Sequence, residues 1–340
     1  MVQVSVIIPF YNAAMHLQEC INSLLQQTFT ACEFIFVNDG STDESEFIIN
    51  NNKKNDNRII LINQKNQGVS VARNTGIEKA IGTFLSFVDA DDTVEKDFLD
   101  NLITTALKNK VEIVTSNFNT QFKEKFIKST ALFKTDYIFN ATEIKEKILP
   151  FFIEKDTLNT VWNKLYATDL IKSNHIIFPV GITNGEDGLF NIVAFSKSNT
   201  VLFTNYCGYN YKEVLTSATR TSASKDYFKI AVEKYNFDYK TAYKIEFPSA
   251  QLKMLQSKRL INQVISLIAI YFNNNQPFII KYTYIKNMIY NSTIQQIVSQ
   301  YWDEIYTDKS RYEQFILNCI KHKRVVLLFL ANSYSNFRNK

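Results

Sequence analysis

The sequence is short of the materials that build metal clusters, disulfide frameworks and membrane spans. Its four cysteines, Cys20, Cys32, Cys207 and Cys319, stand far apart, without the paired spacing of a zinc site or a redox motif, and read as buried thiols in a reducing compartment. The longest apolar runs, Ile265 to Phe272 and Val325 to Ala331, break well before the roughly 18–20 apolar residues that a bilayer crossing needs. Charge of one sign is not in large excess either, since 38 Lys and Arg against 33 Asp and Glu leave a net +5. That balance is too mild for a nucleic-acid footprint and fits phosphate-bearing ligands or anionic lipid equally well. No internal repeat is visible, and no glycine follows Ser224. No basic, apolar and small-residue leader stands before the first strand, which sets the expectation of a cytoplasmic protein.

With 46% hydrophobic residues over 340 positions, the chain has material for one large core with an appendage, or for two cores. Val4-Ser5-Val6-Ile7-Ile8, stopped by Pro9, is too short and too branched for a helix and reads as a buried strand. From Ala13 to Gln27, residues Leu17, Cys20, Ile21, Leu24 and Leu25 fall on one helical face. The alternation continues with strands at Glu33 to Val37, Arg58 to Ile62, Thr83 to Val88 and Val111 to Thr115. Helices are expected near Asp43 to Asn50, Ser70 to Ala80 and Glu95 to Lys108. This pattern predicts an α/β fold, a mostly parallel sheet with helices on both faces. An aromatic, alternating stretch from about Asn117 to Phe139 reads as an added hairpin or lid. Helical runs follow at Glu143 to Ile153 and from Gly185 through Phe195, with strands at Thr200 to Thr204 and Gly208 to Lys212. Beyond about Ser224, Lys-rich and aromatic sequence predicts helices around Tyr227 to Tyr243, Leu252 to Phe272 and Tyr312 to Ala331. The expected division is a domain over 1–220, with halves at 1–116 and 117–220, and a helical region over 225–340.

In an open α/β sheet, ligands collect at the carboxyl ends of the strands. Three polar clusters sit there. Pro9-Phe10-Tyr11-Asn12 offers a ring that can stack on a base and an amide that can bond to it, or is simply a strand exit. Asn38-Asp39-Gly40-Ser41-Thr42-Asp43 makes a tight turn into a helix that Ser41, Thr42 and Asp43 suffice to cap. The Asp39 carboxylate is then spare for a pyrimidine N–H. Asp89-Ala90-Asp91-Asp92 crowds three carboxylates that repel unless solvated or neutralised, and all-oxygen ligation suits Mg²⁺ or Mn²⁺. Such an ion would bridge diphosphate oxygens and neutralise charge on a leaving nucleotide. The plainer alternative is a solvated loop in which Asp92 caps a helix.

Taken in order, Ser5 to Asn12, Val37 to Asp43, Asn66 to Gly76 and Phe87 to Asp92 resemble the motifs of the family 2 glycosyltransferases. These enzymes have the GT-A fold, a Rossmann-like arrangement, and mostly transfer sugars from nucleotide donors with inversion. The resemblance covers about residues 2–116. It implies that Pro9, Tyr11 and Asp39 hold the nucleoside, usually uridine, and that Asn66 and Arg73 line the donor site. It also implies that Asp89 sits by the ribose and that Asp91 ligates Mn²⁺ or Mg²⁺. The Arg73 guanidinium suits that place because it bridges carboxylates and phosphates, with an exposed salt bridge as the plainer reading. Gly76, in the same stretch, lets a helix pack close to the sheet.

Further along, Asn184-Gly185-Glu186-Asp187-Gly188 resembles the acidic pair from which the family takes its general base. The resemblance implies Asp187 as base and Glu186 as orienting partner; as plain helix chemistry, both are first-turn acids favoured by the dipole. Trp162-Asn163-Lys164 is also similar to the family and would set Lys164 near the acceptor or phosphates. Tyr209, Tyr211 and the segment Ser217 to Arg220 are similar to its aromatic strand and polar loop. Here Tyr211-Lys212 stands where many members carry Tyr-Arg or a histidine, so no histidine metal ligand is expected from that loop.

The implied activity is metal-dependent inverting transfer from a nucleotide sugar, first of all a UDP-sugar, to a glycan or lipid-linked oligosaccharide acceptor in surface polysaccharide biosynthesis. No nucleic-acid partner is expected, and an oligomer is left open. Lys321-His322-Lys323-Arg324 followed by Val325 to Leu330 suits a peripheral contact with an anionic membrane, at the cytoplasmic face of the inner membrane for a lipid-linked acceptor. The alternative there is a core helix with a solvated basic end. Two rivals to the main reading exist. One is a haloacid-dehalogenase-like phosphatase with Asp89 as nucleophile, which leaves the first two clusters unexplained. The other is an inactive carbohydrate-binding or scaffold protein, against which stands the joint retention of Asp39, Asp91 and Asp187.

Overall fold

Strand β1 (Val4–Phe10) is buried along its whole length, as its near-continuous apolar run favours. In the computed structural model, residues 1–122, 125–155, 159–182, 185–212, 226–238, 240–241 and 247–338 are described. The chain divides into two compact units: Met1–Phe152 with Asp156–Ser222, and Ile153–Lys155 with Ala223–Lys340.

The first unit begins as the alternation predicts. After β1 come α1 (Ala14–Leu25), β2 (Cys32–Asn38), α2 (Ser45–Lys53), β3 (Ile59–Asn63), α3 (Val69–Lys79), β4 (Phe84–Phe87), the short β5 (Thr93–Val94) and α4 (Phe98–Asn109). Strands β6 (Ile113–Phe122) and β7 (Lys125–Lys128) form the expected hairpin, followed by β8 (Ile138–Asn140). Helical turns over Ala141–Glu143, Ile144–Ile148 and Leu149–Glu154 lead to β9 (Lys164–Ala167), α5 (Thr168–Ser173), α6 (Glu186–Lys197) and β10 (Thr200–Lys212). The main path of the sheet runs β3-β2-β1-β4-β9-β6-β10-β5. It is parallel from β3 to β4, and β9 then enters antiparallel between β4 and β6. Strand β10 is one long strand rather than the two expected, because register shifts between Phe203 and Tyr209 absorb the irregularity without ending the pairing to β6.

One face of β1 puts Val4, Val6, Ile8 and Phe10 into a core shared with Leu17, Ile21 and Leu24 of α1 and with Phe98, Leu102 and Ile103 of α4. The other face meets α3. A Cβ on Gly76 would lie 2.3 Å from a methyl of Ile7, so the absence of a side chain sets how closely that helix approaches the sheet. Asn74, on the same helix, brackets the backbone of Phe178: its amide donates to the carbonyl (2.9 Å) and its oxygen accepts from the N–H (2.8 Å).

The second unit is helical. Its helices are Tyr227–Asn236, Ser249–Asn273, Phe278–Tyr290, Ser292–Gln300, Trp302–Tyr306, Arg311–Lys321 and Val325–Arg338. Leu260, Ile261, Val264, Ile268, Ile285, Met288, Ile289, Ile316, Leu317 and Ile320 form its core. The run expected over Tyr312 to Ala331 is two helices, since Lys323 adopts a left-handed φ of 54° and the Arg324 N–H turns back to the Cys319 carbonyl. Helix Phe278–Tyr290 was not expected: its β-branched and aromatic residues hide the helical period, and packing of Ile285, Met288 and Ile289 overrides the local preference. Among the described residues, no helix is long and apolar enough to cross a membrane.

The α3–β1 contact gives a direct test. Gly76→Val overfills it and lowers unfolding free energy by about 1–3 kcal/mol in urea titration; unchanged stability would mean that α3 does not rest on Ile7.

Candidate active site

Strands β1, β2 and β4 end side by side, and the chemistry gathers at those ends. Pro9 is buried inside β1. Its missing N–H costs nothing, because β1 pairs with β4 only as far as Ile7 and Phe87 while pairing with β2 continues to Phe10. Tyr11 is exposed and leaves its ring free to stack. Asn12 is committed to its own fold: at φ 49° its Oδ1 accepts from the Thr42 N–H (2.8 Å), and its N–H donates to Ser41 Oγ (3.0 Å). Asp43 accepts from the Ala14 and Ser45 amides, which ties the β2 exit to the start of α1.

Asp39 is buried, and its carboxylate is less spare than the sequence suggests. It accepts from Gln64 Nε2 (2.8 Å) and from the Gln67 and Gly68 amides (2.9 and 2.8 Å), so one lone-pair position remains of about four. Gly40, at φ 78°, lies so close to the next loop that a Cβ would come within 2.8 Å of the Asn66 backbone nitrogen. The Asn66 side chain is exposed beside this corner. Gln64 also accepts from Thr75 Oγ1 (2.8 Å), which links Asp39 to α3.

Two residues before Thr75, Arg73 is buried at the centre of an ionic cluster. It donates to Asp187 Oδ1 (2.6 Å), Glu186 Oε1 (3.4 Å) and Asp89 Oδ1 (3.0 Å), and its guanidinium lies 5.1 Å from the ring centre of Phe178. Among the described residues, Arg73 Nε and Glu186 Oε2 are buried without a hydrogen-bond partner. One cation thus faces three carboxylates. Burial disfavours charge on Asp187, Arg73 opposes that, and the repulsion of Glu186 and Asp89 adds to it; together they push its pKa up to about 7. Glu186 and Asp187 are indeed in the first turn of α6, so the helix-dipole and ion-cluster readings hold together.

In the β4 exit the three aspartates differ. Asp89 faces Arg73. Asp92 is fully buried and accepts from the Tyr209 hydroxyl (2.7 Å) and the Lys212 N–H (2.8 Å), while the Asp89 N–H donates to the same hydroxyl (3.1 Å). Asp92 therefore anchors the loop to β10 rather than capping a helix. Asp91 is half-buried, and burial together with Asp89 raises its pKa. Its carboxylate takes no side-chain hydrogen bond among the described residues. No group of three or more His, Cys, Asp or Glu positioned to hold a metal occurs among them either. The donor set fits a hard cation only in the manner of Mg²⁺ or Mn²⁺ on a nucleotide, with one carboxylate from the chain and the other oxygens from diphosphate and water.

Lys164 is completely buried. Its ammonium donates to the Thr160 carbonyl and to Asn163 Oδ1 (3.0 Å), and burial lowers its pKa to about 7. Asn163 in turn donates to the Ser116 carbonyl, and Asn191 of α6 donates to the carbonyls of Asn159 and Thr160. Lys164 accordingly braces the 159–163 loop against α6 and presents no cation to solvent. Trp162 stacks on Tyr209 with centroids 4.2 Å apart.

The structure thus joins Arg73, Asp89, Glu186 and Asp187 directly and sets Asp91 beside them, with Tyr11, Asp39 and Asn66 at the neighbouring corner. Asn184 and Ser217 to Arg220 lie outside the described residues. Sequence reasoning missed Gln64 and Phe178. The position of Gln64 just after a strand's carboxyl end is a usable signal, whereas Phe178 sits in irregular chain and carries none.

The model of the family described as Glycosyl transferase family 2 matches residues 5–168. A glycosyltransferase of Escherichia coli (strain K12), YibD, described as uncharacterized, is 32% identical over 252 residues, which cover 70% of this chain and 72% of that protein. Another, EpsJ of Bacillus subtilis (strain 168), is 36% identical over 216 residues, 64% of this chain and 62% of EpsJ; the match spans less than two thirds of that relative. The crystal structure of S. aureus TarS 1-349 in complex with UDP superposes with a TM-score of 0.68 at 20% identity, covering 100% of this chain and 92% of that one. The architecture is that of a GT-A glycosyltransferase with a helical C-terminal region, and the chain belongs to glycosyltransferase family 2.

Proposed function

We propose that the chain transfers a sugar from a UDP-sugar to a saccharide or lipid-linked saccharide acceptor, with metal assistance and inversion at the anomeric carbon, in the building of a surface polysaccharide. The observation that carries this is the Arg73 cluster, in which one guanidinium holds a donor-loop carboxylate, Asp89, beside an independently placed acidic pair, Glu186 and Asp187. A uridine donor is supported by the UDP complex of TarS, and a surface-polymer acceptor by the name of that protein, a poly(ribitol-phosphate) beta-N-acetylglucosaminyltransferase.

In this mechanism Tyr11 stacks on the base, the remaining lone pair of Asp39 accepts the pyrimidine N–H, and Asn66 closes the same corner. Asp89 accepts from the ribose. Asp91 would hold a Mg²⁺ or Mn²⁺ ion, which when bound would supply positive charge to the leaving diphosphate. Asp187 takes the proton of the acceptor hydroxyl while that oxygen bonds to the anomeric carbon and the carbon–diphosphate bond breaks on the opposite face. Glu186 and Arg73 hold the base in place. Lys164 acts from beneath by fixing the loop against which α6 packs. A phosphatase with Asp89 as nucleophile fits less well, because Arg73 already occupies that carboxylate.

Calorimetric titration tests the donor site. UDP binds the wild type in the presence of Mn²⁺, and Asp91→Asn weakens binding at least about 100-fold, since even outer-shell ligand partners are worth roughly 10–100-fold. No UDP binding with or without Mn²⁺ would refute the donor assignment.

The base has its own signature. Protonated Asp187 cannot accept a proton, so kcat/KM for UDP release from the donor falls as pH drops through about 7 and levels off above it. Asp187→Asn lowers turnover by about 10²–10⁴-fold and leaves UDP affinity unchanged. A pH-independent rate, or full turnover in the variant, would remove Asp187 from this role.

A further inference from the structure

Within the helical unit, residues 247–302 contain no Asp or Glu, and none follows Glu313. Two helices from these acid-free stretches, Phe278–Tyr290 and Val325–Arg338, pack together through Phe329, whose ring centre lies 5.0 Å from that of Phe278 and 5.9 Å from that of Tyr282. Between them is a groove of about 420 Å³ lined by Tyr282 and Tyr290 on one side and by Lys323, Arg324, Val325, Val326, Leu327 and Leu330 on the other.

The helix from Val325 is apolar on more than one side. Val325 and Leu328 are buried in the unit's core, whereas Val326, Leu327 and Leu330 are 59%, 39% and 62% exposed. Phe278, Ile279 and Ile280 at the start of the partner helix are exposed as well. A core helix with a solvated basic end accounts for the first set and leaves the second unexplained. The cations are placed beside the aromatic wall: the ammonium groups of Lys286 and Lys323 lie 5.7 and 5.4 Å from the ring centre of Tyr290. Lys281 and Lys321 are engaged elsewhere, the first on the Phe272 and Asn274 carbonyls and the second on the Trp302 ring.

We propose that this groove and its rim are a docking surface for an anionic membrane leaflet, with Val326, Leu327 and Leu330 entering the acyl boundary and Lys286, Lys323 and Arg324 meeting lipid phosphates. Charge complementarity selects this occupant. Lysine is depleted at protein–protein interfaces, and a nucleic-acid backbone gives exposed leucines nothing to bury against. Apolar side chains beside Lys and Arg, with tyrosines between them, match the layered chemistry of a bilayer interface. The inference does not depend on which sugar is transferred, nor on whether the donor site works as proposed.

The test is co-sedimentation of the full chain with vesicles of phosphatidylglycerol and phosphatidylcholine in equal parts, and with phosphatidylcholine alone. The wild type sediments with the anionic vesicles and not with the neutral ones. Each cation near an anionic surface contributes roughly fivefold, so Lys323→Gln with Arg324→Gln weakens partitioning by about 25-fold. Leu327→Ser with Leu330→Ser weakens it by about tenfold or more. Both variants keep the wild-type thermal midpoint, because the altered side chains are exposed, and this separates lost docking from lost folding. Absence of vesicle binding, equal binding to neutral vesicles, or full binding by both variants would overturn the proposal. So would self-association that the variants abolish in sedimentation velocity while vesicles are ignored, which would make the face an interface between copies of the chain.

Discussion

The ion cluster around Arg73 is the contact on which the rest of the site depends. A guanidinium does not shed its proton, so burying it fixes a positive charge inside the protein, and that charge is tolerable only with carboxylates in contact. Here three share it, and they come from two stretches of chain about a hundred residues apart: Asp89 at the β4 exit, and Glu186 and Asp187 at the start of α6. Removing one partner of such a buried set typically costs about 3–5 kcal/mol, which is large against the net stability of a domain. The cluster is also under-neutralised. Burial, with the repulsion of Glu186 and Asp89 and against the pull of Arg73, keeps Asp187 basic near neutral pH.

Much of the surrounding framework serves to place that guanidinium. Gly76 allows α3 to lie on Ile7, and Asn74 of the same helix holds the chain at Phe178, whose ring lies against the guanidinium. On the opposite side, Tyr209 takes the Asp89 N–H and donates to Asp92, so the loop carrying Asp89, Asp91 and Asp92 is pinned to β10. Lys164, Asn163 and Asn191 fix the floor beneath α6. Polar residues that look available in the sequence are in several cases already committed to this framework.

That distinction marks how far the sequence could be read. The alternation through α4 was legible because each strand is a short apolar run and each helix has one apolar face. Arg73, Asp89 and Asp187 could be singled out as candidates from their motifs, but their meeting could not, since no local pattern tells that residues 73 and 187 touch. Asn12, Asp92 and Lys164 were read as more available than they are, because a side chain's hydrogen-bond partners depend on tertiary neighbours. Antiparallel β9 was not foreseen: its four residues, Lys164–Ala167, carry too little pattern to show direction. In the helical unit, Phe278–Tyr290 escaped for the opposite reason, having apolar residues on every side.

Anomalous diffraction from crystals grown with UDP and Mn²⁺ tests most directly whether this cluster joins the two ends of one site. The account predicts a manganese peak between the Asp91 carboxylate and the diphosphate, with Arg73 still bridging Asp89 to Asp187. Manganese and diphosphate bound away from Asp91, or an Arg73 that has released Asp187 to follow the nucleotide, would contradict it.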